Sequence, residues 1–307
     1  MFNKKSRSQL LKPYKKYYEL LLMLIPGFVV LLMFNYIPMG GIVIAFKNYR
    51  IMDGILKSPW VGFKYFNDLF SGTDFMRILR NTVGISFARL LFGFPAPIIL
   101  ALLLNEMRSI TYKRITQTLL YLPHFFSWVV LGGMIIMIFS VSGPFNILLG
   151  YLGVGKPLTF FSDNMLFLVL LIGTAVWQGL GWGTVVFMAA LSGVDSTLYE
   201  AAYIDGAGRL KQVWHISIPS IMPTVVTVLI MNLGHVLNAG FDQIYNMYNP
   251  TVYEVAEVLD TYVFRRLQEG AFSYGTAVGL FKSVVGLIFV LGTNYISKKI
   301  NEDVGIL

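Results

Sequence analysis

The chain has 307 residues, of which 56% are hydrophobic and 13% charged, with a net charge of +8 and no cysteine. Soluble domains carry about 25% charged residues, so the composition excludes a water-soluble globular protein and implies an all-α integral membrane protein. The missing cysteine excludes disulfides, thiolate nucleophiles and thiolate metal sites.

Residues 1–17 are strongly basic, with Lys4, Lys5, Arg7, Lys12, Lys15 and Lys16. The apolar run behind them is too long for a signal peptide and has no small-residue cleavage site. We therefore expect an uncleaved first helix with a cytoplasmic N-terminus. Crossing ~30 Å of hydrocarbon takes ~20 helical residues, and six segments meet that length: Leu20–Phe46, Thr82–Leu104, Ile115–Phe139, Leu166–Leu191, Ile221–Phe241 and Thr276–Ile296. They form one transmembrane domain over residues 18–300, and residues 301–307 are a short tail.

Six crossings put both termini on one side. The inner segments then hold Arg108, Lys113, Arg114, Arg209, Lys211, Lys298 and Lys299 in addition to the N-terminal cluster. The outer loops are basic too, through Lys47 to Arg80, but the N-terminal cluster is the densest and the first helix usually sets orientation. Basic residues clustered beside apolar runs point to membrane orientation rather than nucleic-acid binding.

Residues 47–80 carry Trp60, Phe63, Tyr65, Phe66 and Phe70, and Tyr253–Arg266 reads as an amphipathic helix. Both suit interfacial packing, and both suit docking of an extracellular binding protein. Gly150–Lys156 has the Gly-x4-Gly-Lys spacing of a phosphate loop, but Pro157 stands where Ser or Thr would hold magnesium. We read it as an external turn.

Between the fourth and fifth segments, residues 195–219 form a polar island. Thr197 and Glu200 have capping-box spacing, and Leu198, Ala201, Ala202 and Ile204 give a short helix an apolar face. Asp205-Gly-Ala-Gly208 breaks that helix. Asp205 is a candidate cap for a second one, Arg209–Ile216, which Pro219 should stop. The expected object is a bent, protruding two-helix knob.

Glu200, Ala201, Ala202, Gly206, Ile216 and Pro219 fall in register with the EAA signature of ABC-importer permeases, which this stretch resembles. Ile218 replaces the family's usual Leu. Tyr121–Trp128, Trp177–Trp182 and the Tyr17–Phe46 opening are similar to the carbohydrate-uptake branch, above all to permeases for complex oligosaccharides. The resemblance implies a type I ABC importer permease (MetI-like) fold with a cytoplasmic coupling loop. That loop, with Asp205 and Gly208 among its residues, would meet an ATPase. The resemblance also implies a second homologous permease, two ATPase subunits that hold ATP and magnesium, and an extracellular solute-binding protein. The chain itself is then a transport subunit, not an enzyme, with no bound cofactor.

Polar groups inside a membrane usually face protein or water. Thr174, Gln178 and Trp182 recur every fourth residue on the fourth segment, with Trp177 adjacent, and His235, Asn238 and Asp242 share one helical face on the fifth. Both stripes suit sugar contact, since aromatic rings stack on sugar faces and amides bond hydroxyls. Both also suit interhelical hydrogen bonding. Arg89 and Lys282 either snorkel or pair with Asp242, or they line an outer vestibule that favours anionic sugars such as uronates.

An ion-gradient-driven secondary sugar transporter is the competing class. It predicts inverted repeats or paired broken helices, and the sequence displays neither. A membrane enzyme would need more than His235 and Asp242, because no nucleophile or metal set accompanies them.

Overall fold

The computed structural model describes residues 17–234 and 237–300, with the side chains of Thr293 and Ile296–Ile300 outside that description. Residues 1–16, His235 and the 301–307 tail, all invoked above, likewise lie outside the described residues. Six helical spans are long and apolar enough to cross a membrane: Tyr18–Phe46, Thr73–Asn105, Trp128–Tyr151, Asn164–Ser192, Arg209–Gly234 and Phe272–Gly292.

The third crossing differs from the sequence expectation. A helix does run over Ile110–Tyr121, but Pro123 has no N–H to continue it, and the chain tightens into a 3₁₀ turn at Leu122–Phe125. A new helix, Trp128–Phe139, then starts on the Ser127 side chain, which accepts the Val130 N–H. The stretch long and apolar enough to cross is Trp128–Tyr151, and Ile110–Tyr121 precedes it with no buried residue. It continues through a kink at Gly143 into Pro144–Tyr151, where buried Asn146 bonds Ser140 and Leu158 main-chain groups at 2.8–2.9 Å.

The fifth crossing corrects the stop expected at Pro219. A proline lacks the N–H that an α-helix needs and pushes against the carbonyl four residues back. Here the helix widens to a π turn over Val213–Ser217, and the Ile218 N–H reaches the Val213 carbonyl. Pro219 follows within an unbroken helical path that continues to Gly234. The first span uses the same device, with a π turn at Leu32–Tyr36 ahead of Pro38.

Close approach of the spans rests on small residues. A Cβ at Gly181 would collide with the Leu120 carbonyl, and one at Gly183 would lie 2.7 Å from Pro97 Cγ. The largest buried cluster joins Ile85, Leu131, Ile135, Phe167 and Leu171 to Ala239, Ile244 and Val258 of the segment after the fifth span. A second cluster packs Leu69, Phe75 and Ile78 on Leu259, Tyr262 and Val278, and a third holds Ala101, Phe187, Leu191 and Ile221. The first span stands apart, with none of its most apolar window buried.

At one end of the bundle the loops bind one another. The Tyr49 N–H donates to Ser273 Oγ at 2.9 Å, and Asn249 Nδ2 donates to the Phe161 carbonyl at 2.9 Å. Glu257, fully buried, meets Arg265 at 2.6 Å and Arg77 at 3.1 Å. The single amphipathic helix expected over Tyr253–Arg266 is therefore two, Tyr253–Ala256 and Leu259–Gln268, split where Glu257 turns inward. Val258, Leu259 and Tyr262 are buried, so this segment is part of the core. The opposite end carries residues 106–109 and 193–208.

Candidate functional site

The 195–219 segment folds as two helices at a tight bend. Its first helix, Ser196–Ile204, is capped by Asp195, whose carboxylate accepts the Thr197 N–H at 2.9 Å. That replaces the expected Thr197–Glu200 box. Asp195 is already placed one residue ahead of the helix, where a short acceptor reaches the first free amides. The helix ends in a Schellman closure. Gly206 takes φ +75°, the Ala207 N–H reaches the Ala202 carbonyl at 2.8 Å, and the Gly206 N–H reaches Tyr203 at 3.0 Å.

Asp205 is thereby used up as the C-terminal cap of the first helix, and Gly208, not Asp205, precedes the second. Gln212 braces the bend by donating to the Ala207 carbonyl at 2.9 Å. Below it, the Tyr199 hydroxyl bonds buried Ser217 Oγ at 2.9 Å, and Arg209 lies 3.6 Å from Glu106. The knob is thus tied to the base of the fifth span and to the end of the second.

Glu200, Ala201, Asp205, Gly206, Gly208 and Pro219 are exposed, and Ala202 and Ile216 are half-buried. The tip is apolar: Tyr203 is 79%, Ile204 83% and Leu210 77% exposed. A cleft of about 500 Å³ runs beside it, lined by Arg108, Tyr199, Glu200, Tyr203, Ala207 and Arg209. A rigid polar loop with bare apolar side chains at its tip is suited to docking, because such side chains gain from burial against a partner.

The second candidate site lies among the spans. Thr174, Gln178 and Trp182 sit on the helix Asn164–Ser192, but they serve different neighbours. Thr174 accepts from Gln243, Gln178 lines a cavity of about 330 Å³, and Trp182 stacks on His124 with rings 4.7 Å apart and parallel. Trp177 is exposed.

Asn238 and Asp242 of the fifth-segment stripe do not share a helix face. The helix is described as far as Gly234, Asn238 has no regular secondary structure, Gly240 takes φ +87°, and Asp242 opens a separate helix, Phe241–Met247. Gly240 carries that break, since left-handed backbone is strained for residues with a Cβ.

Asp242 is exposed and pairs with neither cation. Lys282 instead binds Asp260 at 2.7 Å and Asn238 at 2.9 Å. Arg89 reaches buried Gln243, whose amide donates to the Leu171 carbonyl and Thr174 hydroxyl at 2.8 Å each. Gln243, Gly240 and Asp260 were missed from the sequence, although a glycine and a glutamine closing an apolar run were its one signal. Arg89 also lines both the 330 Å³ cavity, with Trp128, Gln178 and Asn232, and an adjoining one of about 290 Å³, with Ser86 and Asn238.

Six helices long and apolar enough to cross a membrane, a polar, cavity-bearing centre among the later ones and a protruding two-helix knob between the fourth and fifth are the architecture of a membrane permease. The family model described as binding-protein-dependent transport system inner membrane component matches residues 93–302. Protein LplB of Bacillus subtilis (strain 168) is 48% identical over 286 residues, covering 92% of this chain and 90% of the relative. The polygalacturonan/rhamnogalacturonan transport system permease protein YteP of the same organism is 44% identical over 305 residues, covering 99% and 95%.

Among solved structures, a bacterial ABC transporter involved in the import of the acidic polysaccharide alginate aligns with a TM-score of 0.87 at 38% identity, over 95% of this chain and 99% of that one. The bacterial alginate ABC transporter in complex with an alginate pentasaccharide-bound periplasmic protein aligns at 0.86. The chain belongs to the binding-protein-dependent transport system inner membrane component family and has the type I, MetI-like ABC importer permease fold. It is a multi-pass protein of the bacterial plasma membrane, a transport subunit rather than an enzyme, and it works with a solute-binding protein.

Proposed function

We propose that the chain is one of two membrane subunits of an ATP-driven importer that moves an oligosaccharide released by an extracellular solute-binding protein. The observation that carries the reading is the knob at 195–219: a Schellman-closed bend with an apolar tip, hydrogen-bonded to the base of the fifth span through Tyr199 and Ser217. The names of the relatives supply the substrate class, polygalacturonan/rhamnogalacturonan for one and alginate for another.

In this reading both termini are cytoplasmic, with the N-terminal basic cluster setting orientation. Two ATPase subunits bind ATP and magnesium, and one of them receives the knob through Glu200, Ala201, Ala202, Asp205, Gly206 and Gly208. Ile216 and Pro219 join the knob to the fifth span. Closure of the ATPases pushes the knob, and the Tyr199–Ser217 tie passes the movement to the fifth span. That span bears Asn232, which lines both cavities. The sugar path runs past Trp177, Gln178, Trp182, Asn238 and Asp242, with His235 close by in sequence.

The test is uptake by the complete transporter in proteoliposomes, energised by ATP or by a proton or sodium gradient. ATP alone should support it. Glu200→Arg and Gly206→Pro should insert normally yet separate ATP hydrolysis from uptake. Gradient-driven uptake without ATP, or wild-type uptake by both variants, overturns the proposal.

A further inference from the structure

Three cations among the described span residues are partly withdrawn from the surface: Arg77, Arg89 and Lys282. Arg77 meets the carboxylates of Asp74 and Glu257, and Lys282 meets that of Asp260. Among the described residues Arg89 meets no carboxylate within 4.0 Å. Its guanidinium reaches only the neutral Gln243 side chain, and its buried Nε has no hydrogen-bond partner. A cation held in low dielectric without a counter-ion is costly, and the cost falls when an anion arrives.

The surroundings hold this cation in place. Gly240, at φ +87°, leaves room that the guanidinium fills, and any Cβ there would collide with it. Gln243 is itself fixed by the Leu171 carbonyl and the Thr174 hydroxyl. The guanidinium therefore stands preorganised between the two cavities, beside Trp128, Gln178, Asn232 and Asn238. Aromatic and amide groups suit sugar rings and hydroxyls, and a planar guanidinium suits a carboxylate with two parallel bonds.

We infer that Arg89 is the carboxylate-recognising residue of the translocation path, selecting uronate-containing oligosaccharides over neutral ones. Lys282, neutralised by Asp260, does not take part. The inference rests on the importer reading above and narrows it to one residue and one substrate group.

The experiment measures ATP-driven uptake of a uronate trisaccharide and of its carboxyl-reduced counterpart by the complete transporter in proteoliposomes. It also follows ATP hydrolysis stimulated by the loaded binding protein. Arg89→Gln should lower the uronate-to-neutral uptake ratio on the order of tenfold to a hundredfold, the range for losing a hydrogen bond to a charged group, while stimulated hydrolysis persists. Arg89→Lys should keep part of the preference, and Gly240→Ala should lower it with the charge intact. Lys282→Gln should leave the ratio unchanged.

An unchanged ratio in Arg89→Gln and Gly240→Ala overturns the assignment and points to a counter-ion from the second membrane subunit. An equal fall in Lys282→Gln overturns it as well. Failure of the unaltered transporter to take up either sugar with ATP instead overturns the oligosaccharide-importer reading, and the assignment falls with it.

Discussion

The Glu257 cluster makes a quantitative prediction, because its members differ sharply in burial. The Glu257 side chain is 0% exposed, whereas Arg77 is 25% and Arg265 is 31% exposed. Arg265 donates to one carboxylate oxygen at 2.6 and 2.9 Å, and Arg77 donates to the other at 3.1 Å. Deleting the acid frees two cations that can turn toward water or toward Asp74 and Glu269. Deleting the bases strands a carboxylate that cannot. Glu257→Gln, which keeps the shape and one acceptor, should therefore cost about 1 kcal/mol. Arg265→Ala leaves Arg77 in place and should cost about 1.5–3 kcal/mol. The Arg77→Ala, Arg265→Ala double variant leaves an unpaired buried charge and should cost about 3–5 kcal/mol. Thermal unfolding of the purified protein in detergent, followed by tryptophan fluorescence, should rank the midpoints in that order. A double variant no less stable than Glu257→Gln would refute the reasoning, since it would mean that Glu257 reaches water when its partners are gone.

Other positions give equally specific outcomes. Gly206→Ala should destabilise the knob by about 1–2 kcal/mol, the cost of left-handed backbone with a Cβ. Gly208→Ala, at φ −67°, should be near neutral, and protease cleavage within 196–212 reads the difference. Gly181→Val should fail to pack against Leu120, with a loss of about 1–3 kcal/mol or more. Gly179→Ala, which meets nothing within 4 Å, serves as its control in the same melts. The Thr197 backbone N–H, helped by its hydroxyl, holds the Asp195 carboxyl below the usual carboxylate range. A depressed value stabilises the fold above the unfolded pKa of about 3.9 and loses that contribution as pH falls through the folded one. Corrected hydrogen exchange at the start of the Ser196–Ile204 helix should thus be flat from neutral pH to about 5 and rise only below about 4. Asp195→Asn should remove the acid step, and exchange that climbs already near neutral pH would contradict the cap.

The fold was legible wherever one physical cause acted alone. Long apolar runs announce crossings whatever their neighbours do, so the fourth and sixth spans fall within a few residues of their sequence bounds. The sequence misled where two causes competed. Pro123 and Pro219 carry the same local penalty, yet one ends its helix and the other sits within one. At Pro123 the last turn before the break, Leu120–Tyr121, lies directly against Gly181 of the fourth span, and His124 of the 3₁₀ segment stacks on Trp182, so breaking the helix is compensated by packing. At Pro219 the π turn absorbs the missing hydrogen bond, and Ser217, buried inside that turn, supplies the tie to Tyr199. Nothing in a single chain reading distinguishes those two outcomes, because both depend on residues distant in sequence.

The site was legible to a similar limit. The knob is local, and its composition carried its bend even though Asp195 rather than Thr197 caps the first helix and Gly208 rather than Asp205 precedes the second. The polar centre is not local. The stripe of His235, Asn238 and Asp242 assumed a helix that Gly240 breaks, and the break is what swings Gln243 inward to meet Arg89. Periodicity could flag Arg89 and Lys282 as unusual, but it gave them one role between them. Only their partners separate them: Lys282 finds Asp260 and becomes part of the scaffold, while Arg89 finds an amide and keeps its charge. Two cations of equal formal charge therefore differ in what they can bind. Selection among sugars then turns on whether the protein supplies the counter-ion or leaves it to the cargo.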